Sequence, residues 1–134
     1  MAKVMATGVF DLLHPGHIDF LKQAKREGDY FIVVIARDET VEQEKGKTPS
    51  WDQEKRKAEI EHLGIADKVV IGNPGDKLKI VEEEKPDIIC LGYDQEYDED
   101  KMKEALAKRG VTVEIKRMKA YLPEKYKTTL LRKD

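Results

Sequence analysis

The sequence predicts an α/β domain: a doubly wound, five-stranded parallel sheet in the order 3-2-1-4-5 with helices on both faces. Three observations carry this reading. Short continuous apolar runs recur, the plainest being Tyr30-Phe31-Ile32-Val33-Val34-Ile35-Ala36, and such runs suit strands buried on both faces. Between them lie stretches with apolar residues at helical spacing. Glycine or proline stands at the joins, at Gly28, Gly64, Pro86 and Gly110.

The elements follow in order. Residues 3–6 are a short buried strand. Ile18, Leu21 and Ala24 then share one face of a helix that ends at Gly28-Asp29. Residues 30–36 are the second strand, which completes a βαβ unit with a right-handed crossover. From Thr40 to Ser50 the apolar pattern fades into a polar stretch that reads as a solvated loop. Ser50 with Gln53 three residues on forms a capping box, and the helix behind it runs through Ile60 and Leu63 to Gly64. Residues 68–72 are a third strand, and Asn73-Pro74-Gly75-Asp76 is a turn. Leu78, Ile80 and Val81 mark a helix that stops before Pro86. Residues 87–92 are the fourth strand. Met102, Ala105 and Leu106 lie on a helix over 98–109, and 111–115 alternates as a fifth strand nearer an edge.

The first join is the most informative. Thr7-Gly8-Val9-Phe10-Asp11-Leu12-Leu13-His14-Pro15-Gly16-His17 leads from strand to helix, the place where phosphates bind in such folds. Gly8 permits a sharp turn and a close backbone approach. His14 stands where a cap would, and Pro15 suits the first helical position. Gly16 removes a side chain from the phosphate approach. His17 follows His14 by three residues, so both imidazoles can point toward the N–H groups of the helix start. A pair of histidines at a positive helix end favours an anion. Topology adds that strands one and four flank the point where the sheet order reverses. Asp94, after strand four, therefore faces the same crevice as Gly8.

Bulk properties narrow the classes. The chain has 134 residues, enough for one domain over 1–134. Apolar residues make up 40% and charged residues 39%, with a net charge of −2, so no basic surface for a polynucleotide is expected. One cysteine, Cys90, excludes an internal disulfide and a cysteine-rich zinc site, and it reads as a small core residue. No apolar run reaches the ~20 residues of a membrane span. With no leader visible, a cytoplasmic location is expected.

The motif resembles the first element of the cytidylyltransferase-like nucleotidyltransferases, His14-Pro15-Gly16-His17 matching their HxGH. The resemblance implies a Rossmann-like fold and a nucleotide site at Thr7, Gly8, Val9, Phe10, His14, Pro15, Gly16 and His17, with catalytic roles for both histidines. It places lysines in a loop that reaches the triphosphate, Lys47 first and Lys45 second. Arg56 matches an arginine that holds phosphates or acceptor. Gly92-Tyr93-Asp94 matches a Gly-x-Asp element, which gives Asp94 a nucleotide contact. Tyr126-Lys127-Thr128-Thr129 is similar to a closing triphosphate-binding element, where Tyr126, Thr128 and Thr129 are retained and Lys127 replaces a serine. Asp11 could hold Mg2+ with the phosphates, or hydrogen-bond its own turn instead.

The Gly-Tyr-Asp-Gln form at 92–95 looks more like archaeal FAD synthases than glycerol-phosphate cytidylyltransferases. AMP transfer from ATP to FMN is thus the first expectation. A cytidylyltransferase using CTP and an alcohol phosphate is the second, and a nucleotide-binding module without turnover the third. Retention of the histidines and lysines argues against the last. The resemblance also implies a homodimer, with surfaces near the first motif in contact.

Overall fold

The computed structural model describes residues 2–92 and 98–119. Its five strands are β1 (Lys3–Gly8), β2 (Tyr30–Ile35), β3 (Lys68–Ile71), β4 (Ile88–Leu91) and β5 (Glu114–Arg117). They form one sheet in the order β3-β2-β1-β4-β5, every neighbouring pair parallel, as the sequence predicts. The helices are α1 (Pro15–Lys25), α2 (Asp38–Lys45), α3 (Gln53–Leu63), α4 (Lys79–Glu84) and α5 (Glu99–Ala107).

Strand alternation divides the core. Val4 and Ala6 of β1, Phe31, Val33 and Ile35 of β2, and Ile88 and Cys90 of β4 face α1 and α3, where Leu21, Ala24 and Ile60 pack on them. Met5, Ile32, Val34, Ile89 and Leu91 face the opposite way, onto Ile80 and Val81 of α4 and Leu106 of α5. Both faces of the central strands are apolar, which is why those strands read as continuous runs. β1 is the hinge of the topology. It pairs with β2 from Lys3↔Tyr30 to Gly8↔Ile35 and with β4 from Val4↔Ile88 to Ala6↔Cys90. The chain leaves β1 and β4 toward opposite faces, so their carboxyl ends splay and a crevice opens.

Three expectations need correction. The stretch from Thr40 to Ser50 is not all loop, because Asp38–Lys45 is the helix α2. Only Val41 of this helix is buried, so no apolar stripe marks it. It stops at Gly46, whose φ of 71° is the left-handed cap that glycine accepts most readily. The cap of α3 is Asp52, whose side chain accepts from Lys55 N, and not Ser50. Gln53 then serves another helix, its Oε1 accepting from Asp38 N at 2.9 Å at the start of α2. The fifth strand lies at 114–117 rather than 111–115, because Val111 and Val113 are already in the core before pairing with β4 begins.

Candidate active site

The β1–α1 loop is held in a form that brings both histidines to the mouth of α1. Phe10 has a positive φ of 55°, a conformation that costs a non-glycine residue energy. Its ring lies under Gly8, where an added Cβ would come within 2.8 Å of it. The same ring meets His17 edge-on, with centroids 5.7 Å apart, and stacks on Phe20 at 6.2 Å. Gly8 is glycine here because the Phe10 ring fills the space a side chain would take.

The two imidazoles form a reciprocal cap. His14 Nδ1 accepts from Gly16 N at 3.0 Å, and His17 Nδ1 accepts from His14 N at 3.3 Å. The rings stack 3.8 Å apart with 22° between their planes. Pro15 has no N–H, and the N–H groups of His17 and Ile18 go to His14 O. The amides expected to meet phosphate are therefore already used within the helix start. This geometry also selects a tautomer. A nitrogen that accepts carries no proton, so each neutral ring presents Nε2–H as its donor. Gly16 has a reason within the helix start as well: a Cβ there would lie 2.8 Å from His14 Cε1.

Arg56 departs from its expected role. It is fully buried at 0% exposure. Its Nε donates to Trp51 O at 3.0 Å, its Nη1 to Val9 O and Ala36 O at 2.9 and 2.8 Å, and its Nη2 pairs with Asp38 at 2.6 Å. Instead of reaching phosphate, the guanidinium ties together the ends of β1 and β2, the start of α2 and the start of α3. Asp11 is also occupied: Oδ2 accepts from Ser50 N and Oδ1 from Trp51 N, both at 2.8 Å. Among the described residues no group of three His, Cys, Asp or Glu side chains is placed to hold a metal ion. Asp11 as arranged thus does not fit a metal ligand.

A crevice of about 970 Å3 opens at the carboxyl end of the sheet. Thr7, Gly8 and Val9 form one wall, and Arg37, Thr40, Val41 and Lys45 another. Val34, Ile80, Val81, Ile89 and Met102 give it an apolar floor, with Asn73, Lys77 and Lys101 at the rim. Of the two candidate lysines, Lys45 lines this crevice, while Lys47 is exposed on the segment beyond Gly46. Arg37 Nη1 donates to Gly72 O at 3.0 Å, which joins the ends of β2 and β3 at this wall. From sequence, Asn73 was read only as part of a turn and Met102 only as part of a helix face, and Lys77 and Lys101 were given no role. Asn73 could have been, since it follows a strand's carboxyl end, where ligands bind in open α/β sheets. Asp94, Tyr126, Lys127, Thr128 and Thr129 lie outside the described residues.

The family model for cytidylyltransferase-like proteins matches residues 5–134. An FAD synthase of Thermoplasma volcanium is 49% identical over 121 residues, covering 90% of this chain and 84% of its own. An FAD synthase of Thermoplasma acidophilum is 41% identical over 133 residues, covering 99% of this chain and 93% of its own. A solved structure described as a lipopolysaccharide core biosynthesis protein of Thermoplasma volcanium superposes with a TM-score of 0.86 at 49% identity, covering 90% of this chain and 98% of that one. A pantoate-β-alanine ligase of Francisella tularensis shares the fold alone, with a TM-score of 0.62 at 18% identity over 87% of this chain and 59% of that one.

Proposed function

The chain belongs to the cytidylyltransferase-like family, and we propose that it is a nucleotidyltransferase working as an FAD synthase, which moves AMP from ATP to FMN and releases pyrophosphate. The observation that carries this reading is the relatives named FAD synthase, at 41 to 49% identity across most of the chain. The stacked histidine pair at the start of α1, on the loop that follows the Thr7-Gly8-Val9 wall, supports the chemistry.

A phosphate oxygen of FMN attacks the α-phosphorus of ATP in line with the bond to the bridging oxygen. The new P–O bond forms as that bond breaks, and pyrophosphate departs with the electron pair. FMN's phosphate is already ionised, so no strong base is required. The protein has to hold two anions together and neutralise the charge that builds between them. We assign His14 and His17, through their Nε2–H groups, to the α-phosphate and bridging oxygens. Lys47, or Lys45 from the crevice wall, would follow the charge onto the transition state. Thr7, Gly8, Val9, Phe10, Pro15 and Gly16 shape the loop around the nucleotide. Asp94, Tyr126, Thr128 and Thr129 are kept as nucleotide contacts on the resemblance. The expected divalent cation, Mg2+, is assigned to the triphosphate's own oxygens rather than to Asp11. We further propose a cytoplasmic homodimer. No helix among the described residues is long and apolar enough to cross a membrane.

The test is pyrophosphate release with ATP or CTP against FMN or glycerol 3-phosphate. ATP with FMN is expected to give turnover, and CTP with glycerol 3-phosphate none above background. The reverse pattern would replace this reading with the cytidylyltransferase one. His14→Ala is expected to cut turnover by about a hundredfold or more while nucleotide binding changes by much less, as for loss of a group that acts on developing charge.

A further inference from the structure

We infer that Asp11 is a positioning residue: a clasp that fixes the lysine-bearing segment 46–49 against the histidine loop. The inference rests on the proposed reading in one respect, that a lysine of this segment serves the reaction.

The segment is anchored at both ends. At one end it leaves α2 at Gly46, whose N–H still bonds Glu42 O at 2.9 Å. At the other it reaches Ser50 and Trp51, and their successive N–H groups both point into the Asp11 carboxylate at 2.8 Å. Lys45, Lys47 and the residues between and after them are exposed or only half-buried, and no side chain between Glu42 and Ser50 is in the core. A segment without buried apolar contacts takes its position from its hydrogen-bonded ends. Arg56 reinforces the far end, since its Nε holds Trp51 O while its Nη1 holds Val9 O, two residues before Asp11.

Each Asp11 oxygen takes one backbone N–H in a charge-assisted bond. A carboxylate in this arrangement crosses 39 and 40 residues of sequence to join the β1–α1 loop to the start of α3. That join sets the distance between His14, three residues beyond Asp11, and Lys47, three residues before Ser50. Asparagine keeps one acceptor but turns an NH2 donor on the other N–H, so Asp11→Asn should open half the clasp without leaving a cavity. Asp11→Ala should open both halves.

Limited trypsin digestion of the ligand-free protein reads the clasp directly, because cleavage follows the population of the open segment. Cleavage after Lys45 and Lys47 is expected to rise about tenfold in Asp11→Asn and further in Asp11→Ala, with cleavage after Lys101 and Lys119 unchanged. An equal rise at every site, or none after Lys45 and Lys47, would overturn the inference. If Asp11→Ala proves too unstable to purify, Asp11→Asn alone carries the test. Catalysis supplies the second arm. Asp11→Asn is combined separately with Lys45→Ala and with Lys47→Ala, and kcat is measured for pyrophosphate release. In at least one pair the aspartate change should cost much less once the lysine is gone, the signature of coupled sites. Full additivity in both pairs would refute the positioning role. A shift in the Mg2+ concentration needed for half-maximal rate, without a change in trypsin cleavage, would make Asp11 a metal ligand instead. The trypsin arm needs no substrate, so its failure is distinguishable from failure of the FAD synthase reading.

Discussion

Gly16 carries no side chain because His14 needs the space. An added methyl would lie 2.8 Å from Cε1 of that ring, closer than real contacts of this kind stand, and a tight 3.1 Å from Nδ1. Alanine is otherwise the best helix former, so propensity alone would favour it here. Gly16→Ala is expected to push the His14 ring off its bond to residue 16 and break its stack with His17. The lost cap should cost about 1 kcal/mol of stability, read from the urea midpoint. Turnover should fall by at least about tenfold, since a displaced Nε2–H no longer meets developing charge. Unchanged turnover would mean that the His14 ring can move without consequence and that its Nε2–H does not meet the developing charge. Cys90 is the contrasting residue, its thiol buried in the sheet and pushed up to about 12 by that burial.

At the scale of elements, what was legible follows from what marks an element in one dimension. The central strands announce themselves because both their faces are buried, and the sheet order follows from the spacing of strands and helices. The helix α2 does not, since its place depends on Gln53 and Arg56 from α3 and on a single buried valine. The histidine motif was legible as a strand-to-helix turn with both imidazoles at the helix start. Arg56 was legible as a functional-looking arginine but not as a buried one, because its four acceptors come from Val9, Ala36, Asp38 and Trp51, far apart in sequence. Ion pairs between elements are equally silent in sequence. Arg109, just beyond α5, donates to both oxygens of Asp76, ahead of α4, at 2.9 and 3.1 Å, and to Glu82 at 3.0 Å. Those bonds to Arg109 hold the Asp76 carboxyl below its ordinary 3.8. A carboxyl depressed in the folded state adds stability above its unfolded value, and that contribution fades as pH falls toward the folded one. Arg109→Gln should therefore be less stable than the parent at pH 7. The gap should begin to close below about pH 4, the unfolded carboxyl range, and shrink further with acid. Denaturant unfolding of both proteins across that range checks it. A gap that stays constant down to pH 2 would show that Arg109 acts through packing rather than through Asp76.

Among the described residues the sheet has two edge strands, and one large apolar side chain is exposed. The edge strand β3 begins with Lys68, which pairs with Glu84 at 2.7 Å, and the edge strand β5 carries Glu114, Lys116 and Arg117. Charged edge strands resist pairing with another sheet, so self-association through the edges is disfavoured. Leu12 differs: at 52% exposure it is the exposed large hydrophobic residue among those described, and it sits in the β1–α1 loop two residues before His14. The proposed homodimer, with surfaces near the first motif in contact, would bury this side chain from both copies at once, as a two-fold interface requires. Leu12 also has a positive φ of 51°, a conformation that asparagine adopts more readily than leucine. Leu12→Asn should therefore leave the isolated fold as stable as before, or slightly more so, while removing two apolar contacts from the dimer. Sedimentation equilibrium is expected to show dimer dissociation raised by at least about tenfold, the weight of two lost leucine burials. Thermal unfolding should show no loss of monomer stability. If the variant self-associates as tightly as the parent, the interface lies elsewhere, and the exposed leucine beside the histidines calls for another explanation.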